Sequence, residues 1–406
     1  MKLDGIRVLD LSRFLPGPLC TQMMSDHGAE VIKVEAVQGG EPTREVGGKR
    51  DGVSVFFANT NRGKKSLALN LKTSEGVEAV MRLAATCDVV VESFRPGVAE
   101  RLGIGYESVC ARAPQIVYAS ISSFGRTGPK RDLASHDLTI EAAAGVLSIT
   151  RGRDGAPAIP GLASADITAA LASLSGILMA LLRRHATGRG DFLDMAMSDC
   201  LLAGLTNNMD TAMAKRQPPD LASGRSLGGN ALYSIYETSD REWIAIGSQE
   251  PKFAANILNA LGRPDLIPLS EEPPGSAQLP LRDFLTHVLR TRTARDWAEF
   301  FDDLDVPISP VRSLPEVLDD PQYRDRGMVL TDARGWDHLG TPIKFAAEPG
   351  VPVLEAPALG QHSTEILATA GYSADEIGAA ISNGVVRQAN EHEIAMFSGS
   401  RGLSDA

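Results

Sequence analysis

The sequence lacks the motifs that mark the common nucleotide, hydrolase and metal chemistries. No GxGxxG follows a strand-like segment and no GxxxxGK[ST] occurs, so dinucleotide or ATP binding has no support from a motif. A GxSxG elbow and an HExxH pair are also missing, and the seven histidines are dispersed. These absences disfavour an α/β-hydrolase and a zinc hydrolase, and we predict no metal site.

Cysteine and positive charge are both scarce. Four cysteines in 406 residues show no CxxC spacing, which is typical of free thiols in a reducing compartment. The formal net charge of -11 disfavours nucleic acid and anionic membrane surfaces as partners. The chain runs from Met1 into a strand-like segment without the apolar core of a signal peptide. We therefore expect a cytoplasmic protein.

No apolar run reaches the length of a membrane span. The longest weakly polar segment, 167–182, contains Thr168, Ser173 and Ser175. It is shorter than the roughly 20 residues that a transmembrane helix needs. We expect a buried core helix there and no membrane partner.

Short β-branched runs alternate with helical patterns over the first 125 residues. Strand-like runs lie at 6–11, 31–34, 66–71, 88–92 and 116–121. The segment 73–86 reads as an amphipathic helix that Thr73 caps. This alternation predicts an α/β fold with a doubly wound parallel sheet.

The chain is long enough for two domains. A segment rich in Pro, Gly and Ser precedes a new α+β pattern, which includes a likely β pair at 233–238 and 243–247. We assign residues 1–205 to a large domain and 206–229 to a linker. Residues 230–320 then form a small domain, and 321–406 return to the large one.

Seven strings occur in a characteristic order along the chain: LDGIRVLDLSRFLPGP (3–18), GAEVIKVE (28–35), NRGKKSLALNLK (61–72), ESFRPGVAERLGIGYE (92–107), SISSFGRTGP (120–129), TGRGDFLDMAM (187–197) and APALGQHSTEIL (356–367). Together they resemble the family III CoA-transferases of the carnitine/bile-acid-inducible type. Members of that family include formyl-CoA transferase and α-methylacyl-CoA racemase. The resemblance implies a Rossmann-like large domain built from both chain ends, a smaller middle domain and an interlocked homodimer.

Asp166 precedes the apolar helix, and by sequence alone it is a helix cap or a first-turn carboxylate. The resemblance implies instead that it is the catalytic nucleophile. Its carboxylate would then carry CoA between an acyl-CoA and a carboxylic acid, with no cofactor beyond CoA. We expect the helix N-terminus to keep this carboxylate charged at neutral pH. Gly228 and Gly229 form either a covering loop or a plain turn.

His136 and Glu250 support a competing chemistry. Both positions match the acid–base residues of the racemases in the same family. His136, poised by Glu250, and Asp166 would then exchange the α-proton from opposite sides. The structural alternatives are a helix-start histidine and an N-cap glutamate before Pro251. A non-catalytic acyl-CoA-binding protein is the third possibility.

The resemblance also implies a set of CoA contacts, at Leu69, Lys72, Ser93, Phe94 and Arg101. Ala36 stands where the family usually has a basic residue, so one phosphate contact lacks its partner. Arg13, Arg44 and Lys49 are the candidates to replace it.

Overall fold

The structure, a computed structural model, describes residues 1–152 and 154–398. The strands are β1 (Arg7–Leu11), β2 (Glu30–Glu35), β3 (Lys49–Arg50), β4 (Val53–Ser54), β5 (Lys65–Leu69), β6 (Val89–Glu92), β7 (Val117–Ser122), β8 (Asp191–Ala196), β9 (Tyr233–Glu237), β10 (Trp243–Gly247), β11 (Ile308–Pro310), β12 (Val329–Thr331), β13 (Asp337–Leu339) and β14 (Val386–Arg387). The α-helices are α1 (Pro16–Asp26), α2 (Val55–Asn61), α3 (Ser74–Ala84), α4 (Val98–Arg101), α5 (Tyr106–Arg112), α6 (Asp137–Ala143), α7 (Val146–Ile149), α8 (Ser164–Thr187), α9 (Met197–Gly204), α10 (Asp210–Lys215), α11 (Pro251–Ala260), α12 (Ile267–Glu271), α13 (Leu279–Leu289), α14 (Ala294–Phe301), α15 (Leu314–Asp319), α16 (Pro321–Asp325), α17 (Ser363–Thr369), α18 (Ala374–Ser382) and α19 (Glu391–Ser398).

A seven-stranded sheet organises the larger part of the chain. Its strand order is β14-β5-β2-β1-β6-β7-β8. All neighbours pair in parallel except β14, which is antiparallel to β5 at one edge. The six parallel strands, counted along the chain, follow the order 3-2-1-4-5-6 of doubly wound nucleotide-binding sheets. The parallel α/β sheet that the alternating pattern predicts is therefore confirmed, and β14 is an addition.

Helices cover both faces of this sheet, because successive side chains of each strand point to opposite sides. Leu9 of β1 packs into a core cluster that includes residues of α3, α17 and α18. Its neighbour Val8 packs into the opposite cluster, with residues of α1 and α8. All three valines of β6 are buried, as expected for a central strand covered on both faces.

The described chain divides into two compact units, each with its own core. The first comprises residues 1–147, 158–204 and the segment from 321 onward, and the second comprises 148–157 and 205–320. The second unit contains the antiparallel sheet β11-β10-β9, which includes the expected β pair. Trp297 lies in its core and donates a hydrogen bond to the Leu289 carbonyl over 2.8 Å. The segment expected to be a linker contains the short helix α10.

Helix α8 is longer and less buried than its sequence suggests. It spans 24 residues, and by length and apolarity alone it would qualify as a membrane span, which is weak support for one. One face, with Ala169, Ala170 and Ile177, packs into the core of the first unit. Met179 and Leu182 on the other face are exposed in the single chain. The expected core helix is therefore buried along one face only.

A cluster of buried charges brings together Asp10 of β1, Lys33 of β2 and Lys64, which directly precedes β5. Lys64 Nζ is 3.0 Å from Asp10 Oδ2 and also donates to Pro18 O and Asn61 Oδ1. Lys33, fully buried, lies 3.6 Å from the same aspartate. Burial alone would raise the pKa of Asp10, but the two lysines hold it well below its ordinary range.

We expect Gly17→Ala to destabilise the protein by about 1–3 kcal/mol through overpacking. A β-carbon at Gly17 would lie 2.2 Å from Ser12 Cβ, and buried Ser12 is held by its hydrogen bonds to Asp10. Urea unfolding measures the change. The control is Gly378→Ala in α18, where a β-carbon meets nothing within 4 Å and the gain should be about 0.5–1 kcal/mol. A Gly17→Ala variant as stable as the parent would contradict this account.

Candidate active site

Asp166 lies in the first turn of α8, and carboxylates from α6 close that turn. Asp137 Oδ1 accepts the backbone N–H groups of Ala165 over 2.9 Å and of Asp166 over 3.1 Å. Glu141 Oε1 accepts the N–H of Ser164 over 3.3 Å and also the hydroxyl of that serine. The free N–H groups with which a helix begins are thus taken by two side chains of another helix.

These contacts change the electrostatics of Asp166. Burial raises its pKa to about 7, and the negative charges of Asp137 and Glu141 add to the rise. The expectation that the helix N-terminus keeps this carboxylate charged at neutral pH is therefore wrong. The N–H groups that would stabilise its anion already bind Asp137, so Asp166 is the third carboxyl group at one helix end.

His136 stands immediately before Asp137, at the N-cap of α6, and its side chain is exposed. Its backbone N–H donates to Thr139 Oγ1 over 3.0 Å. The edge of its ring faces the ring of Phe14, with 6.2 Å between the centroids. His136 therefore occupies the helix-start position that the sequence offered as its non-catalytic interpretation. It is connected to Asp166 through the adjacent Asp137, which binds the N–H of Asp166.

Glu250 belongs to the second unit and occupies the N-cap of α11, with Pro251 at the first helical position. This is the placement that the structural alternative predicts for it. Its role beside His136 stays a prediction.

Gly228 and Gly229, also in the second unit, form a tightly held turn. Both carbonyls accept hydrogen bonds from Arg282 Nη2, over 2.6 and 3.2 Å. Gly228 has a φ of +94°, and a β-carbon at Gly229 would lie 2.6 Å from the Ser223 backbone. The turn therefore requires both glycines for backbone reasons alone. A covering role for it stays a prediction.

A cavity of about 540 Å³ opens at the carboxyl ends of the parallel strands, where doubly wound sheets bind their ligands. Leu69, the last residue of β5, lines it together with Lys72, and Phe94 lines it after β6. Arg101, with Lys72, lines a neighbouring cavity of about 640 Å³. Ser93 plays a different part, because its hydroxyl accepts the backbone N–H of Arg13 over 2.8 Å.

The structure separates the three candidates for the missing basic contact at Ala36. Arg44 is buried, and its two bonds to Glu35 are each 2.7 Å long, so it is committed elsewhere. Lys49 pairs with exposed Glu45. Arg13 lines the same cavity as Ala36 and is exposed, which places it best of the three for a phosphate.

Two residues of this site were not identified from sequence. Asp137 directly follows the candidate His136, and Glu141 is one helical turn further on. Their spacing places both carboxylates on one face of α6. The sequence thus predicts that the two carboxylates share a helix face, but it does not show that this face contacts the start of α8.

A model of CoA-transferase family III matches residues 3–363. The chain belongs to CoA-transferase family III. It is 31% identical over 404 residues to succinyl-CoA:glutarate CoA-transferase of Homo sapiens, covering 96% of this chain and 91% of the relative. It is also 34% identical over 389 residues to α-methylacyl-CoA racemase of Mus musculus, covering 93% and 95% respectively.

The fold of this family III chain is shared with a solved structure. A crystal structure of a CaiB/BaiF family protein from Brucella suis matches with a TM-score of 0.79 and 34% sequence identity. The match covers 91% of this chain and 99% of the other. The resemblance inferred from the seven strings is therefore confirmed.

We expect Asp166→Asn to stabilise the protein. Because the folded state raises the pKa of Asp166 from 3.8 to about 7, folding binds a proton in that window, and stability falls as pH rises through it. Removing the charge should raise the free energy of unfolding by about 1–3 kcal/mol at about pH 8 and by almost nothing below about pH 4. Urea unfolding at several pH values measures this.

The control for that experiment is Glu75→Gln, since Glu75 is an exposed first-turn carboxylate on α3. Its loss should lower stability by a few tenths of a kcal/mol, because an isolated anion there favours the helix. A pH-independent effect of Asp166→Asn would contradict the electrostatic interpretation of the site.

Proposed function

We propose that this enzyme transfers CoA from a dicarboxylic acyl-CoA such as succinyl-CoA to a free carboxylic acid, through a covalent intermediate on Asp166. Family membership supports CoA transfer. The human relative, whose name specifies succinyl-CoA and glutarate, supports the dicarboxylic class. The observation that carries the covalent role is the position of Asp166 in a helix turn whose N–H groups bind Asp137 and Glu141.

The two neighbouring carboxylates favour a covalent intermediate. They repel the charge of the Asp166 carboxylate, and that charge disappears when an acyl group or CoA is attached to it. The repulsion is thus present in the free enzyme and relieved in the intermediate. Because the raised pKa of Asp166 is about 7, the anionic nucleophile is still accessible near neutral pH.

The reaction consists of two acyl-transfer steps, which the acceptor then reverses. An Asp166 oxygen attacks the thioester carbonyl of the donor, the C–S bond breaks, and CoA leaves as the thiolate, so that the acyl group remains on Asp166 as a mixed anhydride. The thiolate then attacks the aspartyl carbonyl, which forms an aspartyl-CoA thioester and releases the donor acid as a carboxylate. The acceptor carboxylate reverses the two steps and leaves as the new acyl-CoA. No cofactor beyond CoA is required.

The covalent intermediate is tested with succinyl-CoA and no acceptor. We expect the protein to gain the mass of CoA less one water, at the peptide that contains Asp166, as read by intact and peptide mass spectrometry. Asp166→Asn and Asp166→Ala should abolish both this adduct and transfer to glutarate, by at least about a thousandfold in kcat.

The matched control for the adduct is again Glu75→Gln, which should form it at the parental rate. Persistent CoA transfer by Asp166→Ala, or an adduct on another residue, would refute the covalent role of Asp166.

A second candidate function is racemisation of a 2-methylacyl-CoA. The observation that favours it is the position of His136, next to the residue that binds the N–H of Asp166. Two acid–base groups near one α-carbon are what proton exchange requires. The mouse relative is named a racemase, which adds to this candidate.

Incubation of a 2-methylacyl-CoA in heavy water, without an acceptor acid, separates the two functions. For a transferase we expect less than about one hundredth of the substrate to take up deuterium in the time that transfer to glutarate goes to completion. Mass spectrometry of the acyl-CoA measures the uptake. Full exchange that is lost in His136→Ala would favour the racemase instead.

A further inference from the structure

Phe14 combines an unfavourable backbone with an unfavourable environment. It directly follows the Ser12-Arg13 pair after β1, and its φ of +65° lies in the left-handed region, which disfavours every residue except glycine. Its side chain is 43% exposed. A large aromatic ring held out to solvent on a strained backbone indicates a function for that ring rather than a contribution to stability.

Buried charged side chains hold the backbone of the loop around Phe14. Glu41 Oε1 accepts the N–H of Phe14 over 2.8 Å, and Glu41 lies 3.4 Å from Lys33 Nζ. Lys33 also donates to the carbonyl of Ser12. Both charged side chains are fully or almost fully buried. The conformation of Phe14 is therefore imposed by the protein interior and is not a surface fluctuation.

The ring of Phe14 lies between the two parts of the site. Its edge-to-face contact with His136 joins it to the helix whose Asp137 binds the N–H of Asp166. The preceding residue, Arg13, lines the cavity at the ends of the strands. Phe14 therefore lies next to both the residue that lines the cavity and the helix that contacts Asp166.

We propose that Phe14 is a specificity-determining residue, whose ring forms the apolar wall against which the acyl chain of the thioester packs beside His136. This inference rests on the proposed function, because it takes Asp166 as the point where the thioester reacts. Contact with the first methylenes of the acyl group would cover the ring, and CoA itself would not touch it.

The test compares binding of CoA with binding of S-propyl-CoA, a thioether that cannot react. Isothermal titration gives both dissociation constants for the parent, Phe14→Gly and Phe14→Ala. We expect both variants to bind S-propyl-CoA about five- to tenfold more weakly and CoA within about twofold of the parent; tenfold corresponds to about 1.4 kcal/mol. Phe14→Gly should also be at least as stable as the parent, because glycine adopts a positive φ freely.

The matched control is Phe345→Ala, which removes another partly exposed phenylalanine, one that contacts His27. It should leave both dissociation constants unchanged. The inference is overturned if Phe14→Gly binds the thioether as tightly as the parent does. It is also overturned if Phe14→Gly weakens the binding of CoA and of the thioether equally, because Phe14 would then contact the CoA part of the ligand and not the acyl part.

The thioether result does not depend on catalysis, so the two proposals can fail separately. A parent protein that transfers CoA, together with normal thioether binding by Phe14→Gly, refutes only the role of Phe14. If the parent transfers no CoA but Phe14→Gly selectively loses thioether binding, the proposed reaction is refuted. The role of Phe14 as the apolar wall for the acyl chain then still stands.

Discussion

The candidate site depends on one contact, in which carboxylates of α6 close the N-terminal turn of α8. The residue before this helix, Ala163, has no polar side chain with which to cap it. Asp137 and Glu141 supply the acceptors instead. The same interaction therefore positions Asp166 and places two like charges beside it, which add to the rise in pKa that burial causes.

A second constraint lies beneath the loops that follow β1 and β2. Two lysines and two carboxylates are buried together there, and burial lowers the pKa of Lys64 to about 8 although Asp10 opposes that shift. Buried ions are tolerated when each has a partner, and their value then lies in fixing one arrangement more than in raising stability. Here that arrangement holds the backbone of Ser12 and Phe14, on either side of Arg13, which lines the cavity.

Local patterns predicted the elements of the first unit well. The valine run of β6 and the capped helix after Thr73 follow from burial on both faces and from side-chain capping, which depend on neighbouring residues alone. Edge strand β14 was missed, because two residues carry no pattern. The burial of Arg44 between its partner Glu35 and the face of Phe57 was not predictable, because it depends on tertiary contacts.

The amino-acid sequence by itself determined the family and the parallel sheet, and it singled out Asp166 and His136 as candidates. Only the tertiary structure showed the carboxylates beside Asp166, the pairing of Arg44 with Glu35, and the strained position of Phe14. A strand or a capping residue is specified by its sequence neighbours. A pKa or a ring contact depends on which distant residues meet in space, and here those residues come from separate helices and loops of one fold.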